Sequence, residues 1–237
     1  MFEMILIMEG RIRMRNILLL MAILMLSACA GAPTVQTGPD AETSFDGLTK
    51  VDNSRFRQAW ANPDADWTRY TKIMSGGSEL QFRAVKKTNR SALASSRSGE
   101  NEFWIDEEAR TRLAREVSEV FQKELAKSER FTMTDTAGDD VLVVRGELSD
   151  IVSNVPPEPM GRSNIYLRSV GEATLTVEIS DSNSGEVIAR VVERRAAERP
   201  GETSISSNVV STWSEVRRLA QMWANKLRAG LDSVPTE

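Results

Sequence analysis

Leu26-Ser27-Ala28-Cys29 divides this chain before any question of fold arises. Arg11, Arg13 and Arg15 lead into an apolar run over residues 17–26, and small residues then precede a cysteine. That order is the basic, apolar and cleavage regions of an export signal. With the cysteine directly after Leu26-Ser27-Ala28, it is a bacterial lipobox. The apolar run is too short for a transmembrane helix, which needs roughly 20 residues. Cys29 is the only cysteine in the chain, so the exported domain has no internal disulfide and must be held by packing.

The lipobox sets the expected domain plan. Residues 1–28 are a lipoprotein signal peptide, cut between Ala28 and Cys29. Met14-Arg15-Asn16 followed by the apolar run would itself be a complete start. The Cys29 sulfur is expected to carry a diacylglycerol and its new amine an acyl chain such as palmitate. Each buried methylene adds about 0.8 kcal/mol, so two or three chains make a lasting anchor. Ala30, where an Asp would favour inner-membrane retention, favours the outer membrane, facing the periplasm. Residues 29–46, rich in Ala, Gly, Pro, Thr and acids, read as a lipidated cysteine and flexible tether. The unstructured stretch 30–46 would span about 20–25 Å on average. Residues 47–237 then form one domain of ordinary size.

Charge and composition narrow the function. The net charge is −4 and the pI about 5.2, which argues against nucleic acid as a partner. There is no histidine. That removes the commonest general base, serine–histidine triads and cysteine–histidine zinc sites. No cofactor is expected. Carboxylate chemistry remains open, with Asp139 and Asp140 as arbitrary candidates.

Periodicity places the elements. Residues 67–74 alternate as a strand, and Gly76-Gly77 predicts a tight hairpin turn into a second strand over Leu80, Phe82 and Ala84. Residues 106–128 predict a helix, capped by Asp106, with Leu113, Val117, Val120, Phe121 and Leu125 on one face. Short and long strands follow at 131–134 and 141–152, the latter interrupted at Gly146. Ala173, Leu175, Val177 and Ile179 alternate with polar residues as a half-buried strand. A return strand begins at Val187. Asp181-Ser182-Asn183-Ser184-Gly185 between them resembles the start of a calcium loop. However, the glycine falls one place early and Val192 stands where a bidentate Glu is needed, so a hairpin turn is the better reading. Thr212-Trp213-Ser214-Glu215 has the capping-box pattern. Trp213, Val216, Leu219, Ala220, Trp223 and Leu227 then form one face of a closing helix.

Residues 153–168 interrupt this regularity with Pro156, Pro157, Pro159 and Gly161. They also carry Met160, Ile165 and Tyr166. A long connection in a compact domain is functional or disordered, and Pro156, Pro157, Met160 and Tyr166 are the candidate partner-binding residues. The alternative is that Ile165 and Tyr166 simply begin the next strand.

The hairpin over residues 181–195, with Gly185, Ala189, Arg190, Glu193, Arg194 and Arg195, resembles the signature of the bacterial lipoprotein family named domain of unknown function 3313. Trp213, Trp223-Ala224, Leu227-Arg228 and Leu231-Asp232 are similar to that family's last helix. Gly47-Leu48 and Tyr70-Thr71-Lys72-Ile73 are similar to its opening. Ser184 and Glu193 depart from the usual Thr and Asp. The resemblance implies an exported lipoprotein and carries no activity to transfer.

The expected fold is α+β: an antiparallel sheet with two helices packed on one face, a single domain behind a lipidated tether. The expected role is a non-catalytic envelope module that binds a protein or cell-wall component, with the membrane as partner through its lipid anchor. The alternatives are a carboxylate-dependent envelope hydrolase and a purely structural lipoprotein.

Overall fold

A computed structural model describes residues 32–85, 102–156, 166–201, 205–206 and 208–235. Cys29 and its neighbours lie outside the described residues, as do Pro157 and Met160. Among the described residues, ten strands and two long helices follow in the order β1 (Thr34–Val35), β2 (Thr49–Asp52), β3 (Gln58–Ala61), β4 (Lys72–Phe82), α1 (Glu107–Leu125), β5 (Thr132–Met133), β6 (Val141–Ser153), β7 (Tyr166–Leu167), β8 (Gly171–Asp181), β9 (Val187–Ala196), β10 (Ile205–Ser206) and α2 (Val209–Asp232). Eight strands form one sheet in the order β1-β2-β3-β9-β8-β6-β4-β5, and β7 pairs with β10 apart from it.

β8 shows why the sheet has two unlike faces. Ala173, Leu175, Val177 and Ile179 are buried, while Glu172, Thr174, Thr176, Glu178 and Ser180 between them are half-exposed. The period-two pattern puts every apolar side chain on one face. There they join Trp223, Leu227 and Leu231 of α2 and Val117 and Leu125 of α1 in a single core. The opposite face stays polar.

Both helices start on side-chain caps. Asp106 accepts from the Ala109 N–H, with Glu107 and Glu108 in the first turn, where the helix dipole favours acids. α2 begins earlier than the pattern at 212–215 implies. Asn208 is its N-cap and forms a reciprocal box with Ser211, because Asn caps as well as Thr and the preceding turn holds Val209 and Val210 in the helix.

The sheet is mixed, which corrects the antiparallel expectation. β4 runs parallel to β6, and β5 runs parallel to β4. The difference originates at Gly76-Gly77. Instead of turning the chain back, the pair continues β4 through a bulge, with Gly77 at φ 85° and a register shift between Ser75 and Ser78. A β-carbon on Gly76 would lie 2.6 Å from Val143 Cγ1, so glycine here permits close approach to β6. The chain then leaves β4, crosses through α1 and returns as a parallel neighbour, as a crossover connection requires.

Two other expectations change. Trp67–Arg69 is a 3-10 turn capped by Asp66 rather than the start of a strand. The described part of the expected tether is not free chain: Thr34 and Val35 pair with Asp52 and Val51. Thr43 bridges Thr49, and Arg190 ties Asp46 to the sheet.

Candidate functional site

The signature hairpin is held by one carboxylate. Asp181 is 4% exposed. Its Oδ1 accepts from the Asn183 and Ser184 backbone N–H groups at 3.0 and 2.7 Å and from Ser184 Oγ at 3.0 Å. Its Oδ2 accepts from Tyr70 Oη at 3.0 Å and from Arg69 at 2.9 Å. The Ser184 N–H is the main influence holding this carboxyl below its ordinary value, with Tyr70 and Ser184 Oγ adding to it. Burial, together with the Asp181 bond, pushes the Tyr70 phenol up to about 12. Both oxygens are thus committed to the turn and to the segment that leads from the 3-10 turn into β4. Among the described residues no group of three or more Cys, Asp or Glu is placed to hold a metal. The turn accounts for the contacts of Oδ1, and those of Oδ2 reach outside it to Arg69 and Tyr70.

Other acids prominent in the sequence are also engaged within the fold. Asp140 accepts from Thr71 and Lys72, and Asp139 accepts from Asn183. Glu193 of the hairpin accepts from Trp223 Nε1 at 3.1 Å and from Lys226 at 2.7 and 2.9 Å. That contact joins the signature hairpin to the closing helix. Glu124 bridges the helices through Arg228 and Gln221. On the polar face, Asp150 sits at φ 51° in a bulge of β6. A bidentate Arg83, with Arg194 beside it, lowers its carboxyl to about 2. Asp tolerates the left-handed region better than most residues.

The candidate loop resolves partly. Pro156 is half-buried, and Val155 next to it packs against a small apolar cluster with Val170, Ala197, Val216 and Leu219. Tyr166 is 62% exposed and opens β7, opposite Ser206 of β10. It lies in a two-residue strand of its own, apart from β8, and Ile165 lies outside the described residues.

A different place combines shape with unsatisfied bonding groups. β5 pairs only with Lys72 and Ile73 of β4. Its last bond to that edge is the Thr134 N–H to the Ile73 carbonyl, 3.0 Å. Beyond it, among the described residues, no strand or loop bonds to the outer side of β4 through Phe82. The Arg83 N–H points inward to Ile151. Strand alternation then directs the main-chain groups of Ser78, Leu80 and Phe82 outward and those of Glu79 and Gln81 toward β6. Ser78, Glu79 and Gln81 are exposed.

Beside this edge lies an apolar cleft of about 70 Å³. Leu80 and Ile73 form one wall, and Val117, Phe121 and Leu125 of α1 form the other. Leu148, Leu175 and Val177 make the floor, and Met133 closes one end. The sequence reading missed this site because it placed a hairpin partner there. The available signal was that Leu80 and Phe82 resume an alternation beyond the glycine pair, out of phase with Ile73 as a one-residue bulge makes it.

A family model described as "Protein of unknown function (DUF3313)" matches residues 41–227. The chain has no match among curated proteins. Among solved structures, the PelC dodecamer from Paraburkholderia phytofirmans is similar at 8% identity and a TM-score of 0.36, over 75% of this chain and 96% of that one. Protein XCC0632 from Xanthomonas campestris is similar at 11% identity and 0.37, over 83% and 90%. A putative neuraminyllactose-binding hemagglutinin homolog from Helicobacter pylori follows at 8% and 0.28, over 71% and 90%. At these scores none of them assigns a role to this chain.

Proposed function

Taking as its premise that the chain belongs to the DUF3313 family of proteins of unknown function, we propose that it is a lipid-anchored, non-catalytic module of the bacterial envelope that binds another envelope protein. The lipobox at Cys29 supports the anchor, and Ala30 favours the outer membrane. The observation that carries binding is the outer edge of β4, unpaired beyond Ile73 among the described residues, beside its apolar cleft. A soluble protein that leaves a strand edge open invites another chain to pair with it, unless the edge is blunted. Among the described residues the blunting here is the Gly76-Gly77 bulge and one glutamate. The site is built for contact rather than chemistry: its lining is apolar apart from a few polar groups, a composition suited to holding side chains.

Two measurements test this reading. Cys29→Ser abolishes palmitate labelling in cells, and normal labelling of that variant overturns the anchor. A photo-reactive amino acid at Ser78 crosslinks to a discrete envelope protein, while the same group at Thr176 on the polar face does not. No product from Ser78, or equal products from both positions, overturns the binding site.

A further inference from the structure

We propose that the open lane beside β4 takes an extended polypeptide segment, paired through its main chain, with an apolar side chain in the cleft and a basic one over Glu79. This rests on the reading of that edge as the protein-binding site and specifies what occupies it.

The backbone defines the class of occupant. β5 enters the lane, makes one strand-like step along Lys72 and Ile73, and leaves it. The outward N–H and C=O groups of Ser78 and Leu80 then stand at strand spacing with nothing opposite among the described residues. Only another extended main chain satisfies such a row in register, as in strand addition to a sheet edge.

The side chains of an added strand alternate between the two faces of the sheet. On the helix side they meet the cleft between Leu80 and Phe121. Its volume of about 70 Å³ is roughly half that of a ~150 Å³ cavity that admits benzene, so it suits one aliphatic side chain. On the polar side they meet Glu79. This residue lies directly opposite Glu147 in the β4–β6 register, and neither has a cation within ion-pairing distance among the described residues. The nearest positive group in sequence on that face is Arg145, two residues from Glu147 and likewise without a close acid. Like charges opposite one another across a ladder are destabilising, and a lysine or arginine from the added strand relieves them. Charge complementarity of this kind selects the partner and speeds its arrival.

A second copy of this chain fits the lane less well. Antiparallel pairing of two β4 strands about Ser78 brings the two Glu79 side chains near one another. It also sets two Gly76-Gly77 bulges against a ladder that needs straight strands.

The test uses a fluorescent, acetylated and amidated peptide of four Lys-Val repeats, its Glu-Val counterpart, and two N-methylated forms of the first. One methylated form blocks every valine amide and the other every lysine amide. The soluble domain, residues 32–237, is expected to bind Lys-Val more tightly than Glu-Val by about tenfold or more. Glu79→Lys reverses that preference. Main-chain pairing requires that one methylated form lose binding and the other keep it, because alternate amides face opposite sides of a strand. Equal behaviour of the two methylated forms, no preference for Lys-Val, or dimerisation of the domain in place of peptide binding overturns the proposal. Should crosslinking from Ser78 in cells persist while the peptides fail, the protein-binding reading stands and this description of the occupant falls. Failure of both removes the edge altogether.

Discussion

Asp181→Ala is expected to destabilise the domain by about 3 kcal/mol, and the figure can be built from its contacts. The Asn183 and Ser184 N–H groups lie on a half-exposed turn. Water can replace the lost acceptor there, so their share is small, at most about 1 kcal/mol for the pair. Arg69, whose side chain is half-exposed, returns to solvent at a cost of about 0–1 kcal/mol. Tyr70 is different. It is 2% exposed, and its hydroxyl loses its only acceptor in the described structure. An orphaned buried donor costs about 1–3 kcal/mol.

The total of about 3 kcal/mol corresponds to a fall in Tm of about 6–12 °C for a domain of this size. Tyr70→Phe removes the orphan in advance. In that background Asp181→Ala should cost about 1–2 kcal/mol less, a coupling read from a double-mutant cycle by thermal or urea unfolding. A fall of less than about 2 °C for Asp181→Ala, or strict additivity of the two substitutions, would refute the argument that this carboxylate fixes the signature hairpin to the segment leading into β4.

Trp223→Ala should cost about 3–5 kcal/mol in urea unfolding, since the indole is 2% exposed and in the core. Little change would place the ring at a surface instead. Gly171→Ala should lower Tm strongly or prevent soluble expression, because a β-carbon there falls 2.3 Å from the Val152 carbonyl oxygen, which is backbone and cannot swing aside. Acid should unfold the domain from about pH 4 downward. Asp150 and Asp46 have folded values near 2, lowered first by bonds from Arg83 and Arg190 respectively, against an ordinary 3.8. Groups lowered on folding stabilise above the unfolded value, and that contribution disappears as pH falls toward the folded one. Stability by chemical denaturation that stays flat between pH 5 and pH 2 would contradict these ion pairs.

Local signals were strong where one face of an element carries the core. Leu175, Val177 and Ile179 revealed β8, and Val117, Phe121 and Leu125 revealed α1, because burial on one side imposes a period that can be read directly. The hairpin at Asp181 was legible for the same reason, with turn residues between two alternating runs. Pairing between distant strands was not. Gly76-Gly77 is compatible with both a hairpin and a bulge, and the choice is settled by contact with Val143, which is distant in sequence. β1, β2 and β3 are too short for a period to show, and they exist because β9 offers them an edge. The β4 edge was invisible for a related reason. It is defined by β5 leaving after two residues, a property of the assembled sheet rather than of any single segment.

The openness of that edge can be measured directly by amide hydrogen exchange of the soluble domain, residue by residue. Local exchange reports which backbone hydrogen bonds exist in the folded state. The account predicts alternation along β4: the Glu79 and Gln81 amides, bonded toward β6, exchange slowly, while those of Ser78 and Leu80 exchange at close to the rate of exposed chain. Uniform protection from Ser78 through Gln81 would mean that the outer edge is already paired, and would contradict the account at its centre.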